Sequence, residues 1–572
     1  MERTPGVKDT SIVLSGEAGQ GIQTVEHILT RVLKLSGYHV FATKEYMSRV
    51  RGGINSTEIR VSSRRVSAFC DRIDLLIPLS SGATDHVRRR VSPETVILGE
   101  KEHLKAWKTA PGQELVEIPL SQMAREIGGK MYANVIAAGV VSGLFSVDFE
   151  VVEEYLKERF AKKDEGVIGK NLAAAREGYA IGGRLLESGK VDVEAGTDPA
   201  VKEEVLLNGA EAVGLGAIAG GCDFVSSYPM SPSTGVLVFL AGQAGNFGII
   251  AEQAEDEISA VNMTLGASYA GARGMVTTSG GGLALMTEGI SLAGMLELPL
   301  VVHLAQRPGP ATGLPTRTEQ GDLNLALYAG HGEFPRIILA PGRIEEAFSL
   351  TRRAFDLADR HQVPVFILTD QYFMDSYYNL PPFDLSEVEV ERHIVETDAG
   401  YQRYRLTESG LSPRGVPGFG RGLVAADSDE HDQEGHITED LDLRVKMVDK
   451  RIRKLQLLEA EAVPPVLVGP EDYRTLVIGW GSTFPPVREA LEELGRDDLA
   501  FLHFGQVYPL PAEAAVYLKK AGKRVVIENN ATSQFGRLVS LETGLDIHEQ
   551  ILKYNGLPFS VEEVMEKLDN LS

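Results

Sequence analysis

The sequence predicts a multidomain α/β chain built on parallel sheets, and three observations carry that prediction. Apolar β-rich runs at residues 11–15, 73–79, 275–278, 298–305 and 364–369 alternate with helical patterns. Several of these runs end in glycine or proline loops, the places where open α/β sheets hold their ligands. The chain has 572 residues, enough for about three or four domains on the usual size of a folding unit. A hydrophobic content of 43% supports real cores, and 60 glycines suit many tight strand-to-helix turns.

Charge and cysteine usage narrow the function. A formal charge of −23 disfavours a nucleic-acid partner and favours solubility, while leaving room for local basic patches that meet anionic substrates. Two cysteines, Cys70 and Cys222, exclude a disulfide scaffold and are too few to ligate an iron–sulfur cluster on this chain. The opening residues MERTPGVKDT lack the apolar core of a signal peptide. The longest apolar stretch, 283–305, holds Glu288, Glu297 and Pro299, which argues against a membrane span. These features predict a cytoplasmic protein without a membrane partner.

In the first segment, 1–190, the run 11–15 leads through Gly16-Glu17-Ala18-Gly19-Gln20-Gly21 into a helix with Ile22, Val25, Ile28, Leu29 and Val32 at helical spacing. A strand, a glycine turn and a helix present free amides to an anion, although the glycine spacing is not the dinucleotide fingerprint. Residues 44–53 read as a basic loop, with Lys44, Arg49 and Arg51 beside a glycine pair. Residues 189–198 read as a linker.

The second segment, 200–375, has the clearest α/β alternation. Its most informative stretch is Tyr228-Pro229-Met230-Ser231-Pro232-Ser233-Thr234-Gly235, which follows the mostly apolar residues 222–225. The two prolines predict a rigid, extended loop at a strand end. An acidic run, 252–257, leads into a small-residue helix over 257–272, and Ser279-Gly280-Gly281-Gly282 forms a glycine turn before another helix.

Residues 376–470 read as a linking region. Within it, residues 426–440 carry seven acidic residues, His431, His436 and no Lys or Arg. Such a segment is either a solvated loop or a metal site, and the solvated loop is the simpler expectation. A charged amphipathic helix follows over 443–458. The last segment, 471–572, returns to α/β, with strands expected at 476–478, 500–504 and 524–527.

Together these segments resemble the α subunit of 2-oxoacid:ferredoxin (or other acceptor) oxidoreductases with a γ domain fused at the N-terminus. The resemblance rests on Gly16-x-x-Gly19-Gln20-Gly21, Arg51-Gly52-Gly53, the Tyr228 loop, Glu255-Asp256-Glu257-Ile258, residues 306–316 (Gln-Arg-Pro-Gly-Pro-Ala-Thr-Gly-Leu-Pro-Thr), Ile478-Gly479-Trp480-Gly481-Ser482 and Gln506-Val507-Tyr508-Pro509, in the family's order. It implies a γ-type domain, a parallel-sheet domain binding the pyrimidine side of thiamine diphosphate, and a C-terminal transketolase-C-like α/β domain. The family's loop usually reads Tyr-Pro-Ile-Thr-Pro; here Met230 and Ser231 replace the isoleucine and threonine, which bears on substrate class more than on chemistry.

The activity implied is oxidative decarboxylation of a 2-oxoacid to acyl-CoA and CO2, with thiamine diphosphate shared with a separate β subunit. That subunit would carry the diphosphate with Mg²⁺ and a [4Fe-4S] cluster, ferredoxin would accept the electrons, and the assembly would be (αβ)₂. A carboxylic acid on a ring nitrogen of the pyrimidine helps thiamine lose its thiazolium proton, and burial suits that acid by raising its pKa. Glu257 is expected in that role, with Glu255 and Asp256 as competitors. Arg307 is expected to grip the substrate carboxylate and Ser231 to donate to it or to the keto oxygen. Tyr228, Pro229, Met230, Ser279 and Gly280 are expected around the cofactor, and Lys44, Gly19 and Gly21 near substrate or coenzyme A; no residue is assigned to a metal. The fused γ domain and the Gly-Leu-Pro-Thr context lean towards 2-oxoglutarate over pyruvate or branched-chain acids.

Two rivals stand against this expectation. A thiamine-dependent decarboxylase or transketolase-like enzyme would carry Gly-Asp-Gly followed by Asn-Asn; Gly321-Asp322 lacks the next glycine, and Asn529-Asn530 has no such partner upstream. A non-catalytic coenzyme-A-binding or scaffold subunit would leave activity intact when Glu257 or Arg307 is replaced.

Overall fold

The computed structural model describes residues 9–17, 21–48, 53–82, 84–105, 107, 113–193, 195–386 and 388–571. Gly19, Gln20, Arg49, Arg51 and Gly52 of the N-terminal motifs lie outside them. The strands run in chain order as β1 (Asp9–Glu17), β2 (His39–Glu45), β3 (Ile54–Ser62), β4 (Leu75–Pro78), β5 (Val96–Gly99), β6 (Leu115–Glu117) and β7 (Val205–Asn208). Then come β8 (Phe224–Ser227), β9 (Ile250–Gln253), β10 (Gly274–Thr278), β11 (Leu300–Gln306), β12 (Ile337–Leu339) and β13 (Pro364–Asp370). The last are β14 (Tyr377–Leu380), β15 (Val466–Val468), β16 (Thr475–Trp480), β17 (Leu499–Phe504), β18 (Gln506–Tyr508), β19 (Lys523–Glu528) and β20 (Glu549–Leu552).

The chain divides into two compact units. One comprises Met1–Leu207, Asp375–Phe383 and Ser560–Glu563; the other comprises Asn208–Met374, Asp384–Phe559 and Val564–Ser572. The segment expected as a linker, 376–470, therefore opens with a strand of the first unit. The sheets of the second and fourth segments share one unit.

The first unit holds a mixed sheet of order β6-β5-β4-β1-β3-β2-β14-β7. Its β1 runs parallel to β4 and antiparallel to β3. The predicted apolar positions Ile22, Val25, Ile28, Leu29 and Val32 form the buried face of helix Ile22–Leu35, as their spacing requires. Helices Ala133–Leu144 and Glu165–Glu187 meet backbone to backbone, because a Cβ at Gly139, Gly143, Gly178 or Gly182 would overlap main-chain atoms of the facing helix.

The second unit holds two sheets. The larger has the order β18-β12-β13-β11-β10-β8-β9 and is parallel except where β18 joins β12 antiparallel. From β8 the chain places β9 on one side and β10 on the other, which makes the carboxyl ends of β8 and β10 the switch point of the sheet. Strands β10, β11 and β13 are buried along their whole length, as their mostly apolar runs foretell. The smaller sheet has the order β15-β17-β16-β19-β20, parallel except at β15. Among the described residues no helix is long and apolar enough to cross a membrane.

Candidate active site

Four loops of the larger parallel sheet converge at its switch point. Helix Glu257–Tyr269, after β9, starts with Asp256 as its N-cap, whose side chain accepts the Ser259 N–H at 2.7 Å. That cap turns Glu257 inward. It is 3% exposed, whereas Glu255 is exposed, so of the three neighbouring acids only Glu257 faces the interior. Glu257 Oε1 is buried with no hydrogen-bond partner among the described residues. Burial, reinforced by Asp256, raises its pKa above the usual carboxylate value, and Arg307 opposes the shift.

The glycines expected as a turn after β10 are the opening of helix Gly280–Leu285, with Ser279 at its N-cap. Their small size is required by close approach. A Cβ at Gly282 would fall 2.7 Å from Glu257 Oε1 and would overlap Thr278 Oγ1, and one at Gly280 would overlap the Asp322 carboxyl. Ser279 is fully buried and its Oγ has no hydrogen-bond partner among the described residues. Gly282→Ala is expected to displace Glu257 and to lower kcat of the assembled enzyme by about a hundredfold, read against unchanged assembly.

The Tyr228 loop departs from the predicted extended form. The Ser233 N–H donates to the Met230 carbonyl at 2.9 Å and its Oγ to the same oxygen at 2.7 Å, so the segment bends into a turn around Ser231. Tyr228 stays exposed, while Pro229 and Met230 are half-buried. Arg307, after β11, donates from Nη1 to the Ser231 carbonyl at 2.7 Å and thereby ties this loop to the next strand end. Ser231 meets Arg307 through its carbonyl, not through the hydroxyl on which the expectation rested. Desolvation lowers the Arg307 pKa, with Asp322 and Glu257 holding it up.

The structure thus groups Glu257, Arg307, Ser231, Ser279 and Gly280, and adds Asp322, Thr278 and Gly282. Lys44 and Gly21 belong to the first unit. Lys44 lies in β2, not in a solvated basic loop, and its Nζ pairs with Asp375 at 3.0 Å. Burial works against its charge, but Asp375 and Glu26 raise its pKa above the usual lysine value. Gly21 caps helix Ile22–Leu35 with φ +77°, and a Cβ there would overlap the Asn134 side chain. In the acidic segment 426–440, His431 is fully buried and stacks on Tyr404 with ring centroids 3.9 Å apart. Among the described residues, no three His, Cys, Asp or Glu side chains gather to hold a metal ion.

The buried acid Glu257 looks onto space kept open by glycine at the switch point of a parallel sheet, in a domain of the thiamine-diphosphate-binding class. Residues 215–450 match the family model "Pyruvate flavodoxin/ferredoxin oxidoreductase, thiamine diP-bdg", and residues 11–181 match "Pyruvate ferredoxin/flavodoxin oxidoreductase". A Sulfolobus 2-oxoacid:ferredoxin oxidoreductase subunit alpha is 31% identical, with 98% of this chain and 96% of that protein covered. The 2-oxoglutarate oxidoreductase subunit KorA of Mycobacterium tuberculosis is 28% identical, with 98% and 91% covered. The solved 2-oxoglutarate:ferredoxin oxidoreductase of Magnetococcus marinus, with 2-oxoglutarate, coenzyme A and succinyl-CoA bound, superposes with a TM-score of 0.91 at 31% identity, covering 98% of this chain and 99% of that one. The chain belongs to the thiamine-diphosphate-dependent 2-oxoacid:ferredoxin oxidoreductase family, as an α subunit.

Proposed function

We propose that this subunit catalyses the CoA-dependent oxidative decarboxylation of 2-oxoglutarate in the cytoplasm, with ferredoxin as electron acceptor. The observation that carries the reading is the buried, unpartnered Glu257 Oε1 beside Gly282, with Arg307 completing the charge pattern. The KorA-named relative and the 2-oxoglutarate bound to the Magnetococcus marinus enzyme support the substrate.

These residues fit the pyrimidine side of thiamine diphosphate, which supplies the carbon nucleophile for the keto group of a 2-oxoacid. Glu257 holds a proton in a buried site, where its raised pKa lets it share that proton with a ring nitrogen. Gly282 leaves room for a flat ring beside that carboxyl, and Ser279 Oγ and the Tyr228–Met230 segment border the same space. Arg307 holds the substrate carboxylate while its Nη1 bond to Ser231 keeps the guanidinium directed. Ser231 Oγ donates to the same substrate group. Lys44 is left out of the substrate set, because Asp375 already takes its charge.

The remaining parts are assigned to a partner β subunit in an (αβ)₂ assembly: the diphosphate with Mg²⁺, and a [4Fe-4S] cluster. Both cysteines of this chain are buried, and desolvation pushes each thiol up to about 12, so neither offers a ready thiolate ligand. The elements that carry the site also expose Val238, Phe247, Ile250, Ile258, Met263 and Leu285, a surface suited to cover by that subunit.

The test is co-purification with the partner chain, then CoA-dependent dye reduction on 2-oxoglutarate, pyruvate and branched-chain 2-oxoacids. The highest kcat/KM is expected on 2-oxoglutarate; a higher value on pyruvate would reject the substrate assignment. Arg307→Gln is expected to raise KM about 10- to 100-fold, the scale of a lost charge-assisted hydrogen bond. Activity unchanged by both Glu257 and Arg307 replacements would favour a scaffold role.

A further inference from the structure

One loop beside the site, residues 318–324, is fastened chiefly by the C-terminal sheet of the same unit. Gln320 donates from Nε2 to the Trp480 carbonyl at 2.8 Å, and its Oε1 accepts the Asn529 N–H at 2.9 Å. The Gln320 N–H donates to the Asn529 carbonyl at 2.7 Å, and Asn530 Nδ2 donates to the Gln320 carbonyl at 3.1 Å. Gln534 donates from Nε2 to the Gly321 carbonyl at 2.7 Å, and its Oε1 accepts the Asn324 N–H at 2.8 Å. Gln306, the residue before Arg307, accepts the Asp322 N–H at 3.0 Å.

This fastening delivers a single carboxyl group into the site. Asp322 lies so close to the Gly280 α-carbon that any Cβ there would overlap its carboxyl oxygens. Its Oδ2 is buried and has no hydrogen-bond partner among the described residues. The charged groups that act on it electrostatically are Glu319 on its own loop and Arg307 at the end of β11. An acid held against a glycine, without a partner for one oxygen, is costly for folding alone.

We propose that Asp322 is a positioning residue for Arg307: its carboxylate shares the guanidinium with the incoming substrate carboxylate and so sets the concentration of 2-oxoacid that fills the site. The inference deepens the proposed function and rests on Arg307 as the carboxylate-holding group. Burial, then Glu319, push Asp322 up to about 6, with Arg307 opposing. Above that pH the carboxylate competes with substrate for Arg307. Below it the proton removes the competition. The sign is therefore a KM that rises with pH, while the titration of Glu257 acts on kcat.

The test uses the complex assembled with its partner chain, with kcat and KM for 2-oxoglutarate measured from pH 5.5 to about pH 8. In the unmodified enzyme KM is expected to rise about three- to tenfold across pH 6, on the scale of a charge near a partly desolvated anion site. Asp322→Asn is expected to hold KM at its low-pH value throughout, with kcat changed less than about threefold, while Asp322→Glu restores the rise. A flat KM in the unmodified enzyme overturns the proposal, and so does an Asp322→Asn enzyme that keeps the rise or loses kcat and KM together. Arg307→Gln separates the two readings. A raised KM that no longer responds to Asp322→Asn supports both, whereas an unchanged KM refutes the role of Arg307 and, with it, that of Asp322.

Discussion

Glu257→Gln is expected to lower kcat of the assembled enzyme by about two to four orders of magnitude, the span of a lost general acid–base group, while leaving the complex intact. The amide keeps the size of the acid but can no longer share a proton with the pyrimidine. Neighbouring acids do not replace it, since Asp256 is committed to capping the helix and Glu255 faces solvent. The same substitution has a pH signature in stability. Burial raises the folded-state pKa of Glu257 above its unfolded value, so its contribution to stability is complete below the ordinary carboxylate range and is lost as pH rises through the folded pKa. Glu257→Gln is thus expected to melt at an equal or higher temperature at pH 8, with the difference closing near pH 4, the ordinary carboxylate value. Turnover within threefold of the unmodified enzyme would remove Glu257 from the chemistry.

The largest effect on stability is expected from Glu297→Ala. Glu297 follows helix Thr287–Leu296 at φ +49°, a left-handed conformation that costs a non-glycine residue energy. Its carboxylate receives Lys450 Nζ at 2.5 Å and also pairs with Lys454, and all three side chains are about 1% exposed. Arg403 donates to the Glu297 carbonyl at 2.7 Å. Burial by itself would raise the Glu297 pKa, but Lys454, Lys450 and Arg403 hold it well below the usual carboxylate range. Removing the carboxylate leaves two ammonium groups in a dry interior, an arrangement that costs about 3–5 kcal/mol. Loss of helix Leu441–Ala460 from its seat should appear as a lower melting temperature of the second unit. The triple replacement Glu297→Leu with Lys450→Met and Lys454→Met is expected to recover most of the loss, because it removes both the charges and their desolvation cost. A Glu297→Ala protein as stable as its parent would show that the network contributes nothing.

These two residues mark the boundary of what local sequence reveals. Helix 443–458 reads as charged and amphipathic, which by itself does not say that lysines are buried. In the structure Lys450 and Lys454, four residues apart on one face, are the buried side, because a single carboxylate from a distant helix end neutralises them. Lys44 illustrates the same limit, since its partner Asp375 comes from a segment more than 300 residues away. Asp322 was visible only as a fragment of a diphosphate motif. The nearest sequence signal for its role was the glycine run 280–282, which marks a close approach without saying what approaches.

The strands β10, β11 and β13, the helix that begins at Glu257 and the places of the loops at Tyr228 and Arg307, though not the turn inside the first, were set by the order of residues alone, since periodicity, capping and proline act over a few positions. Only the tertiary structure decided that Ser231 meets Arg307 through its carbonyl, that Asp322 stands against Gly280, and that β14 and β18 pair in sheets far from their neighbours in the chain. Those contacts depend on which distant surfaces bury one another and on where a charge finds its counter-charge, which no local pattern encodes.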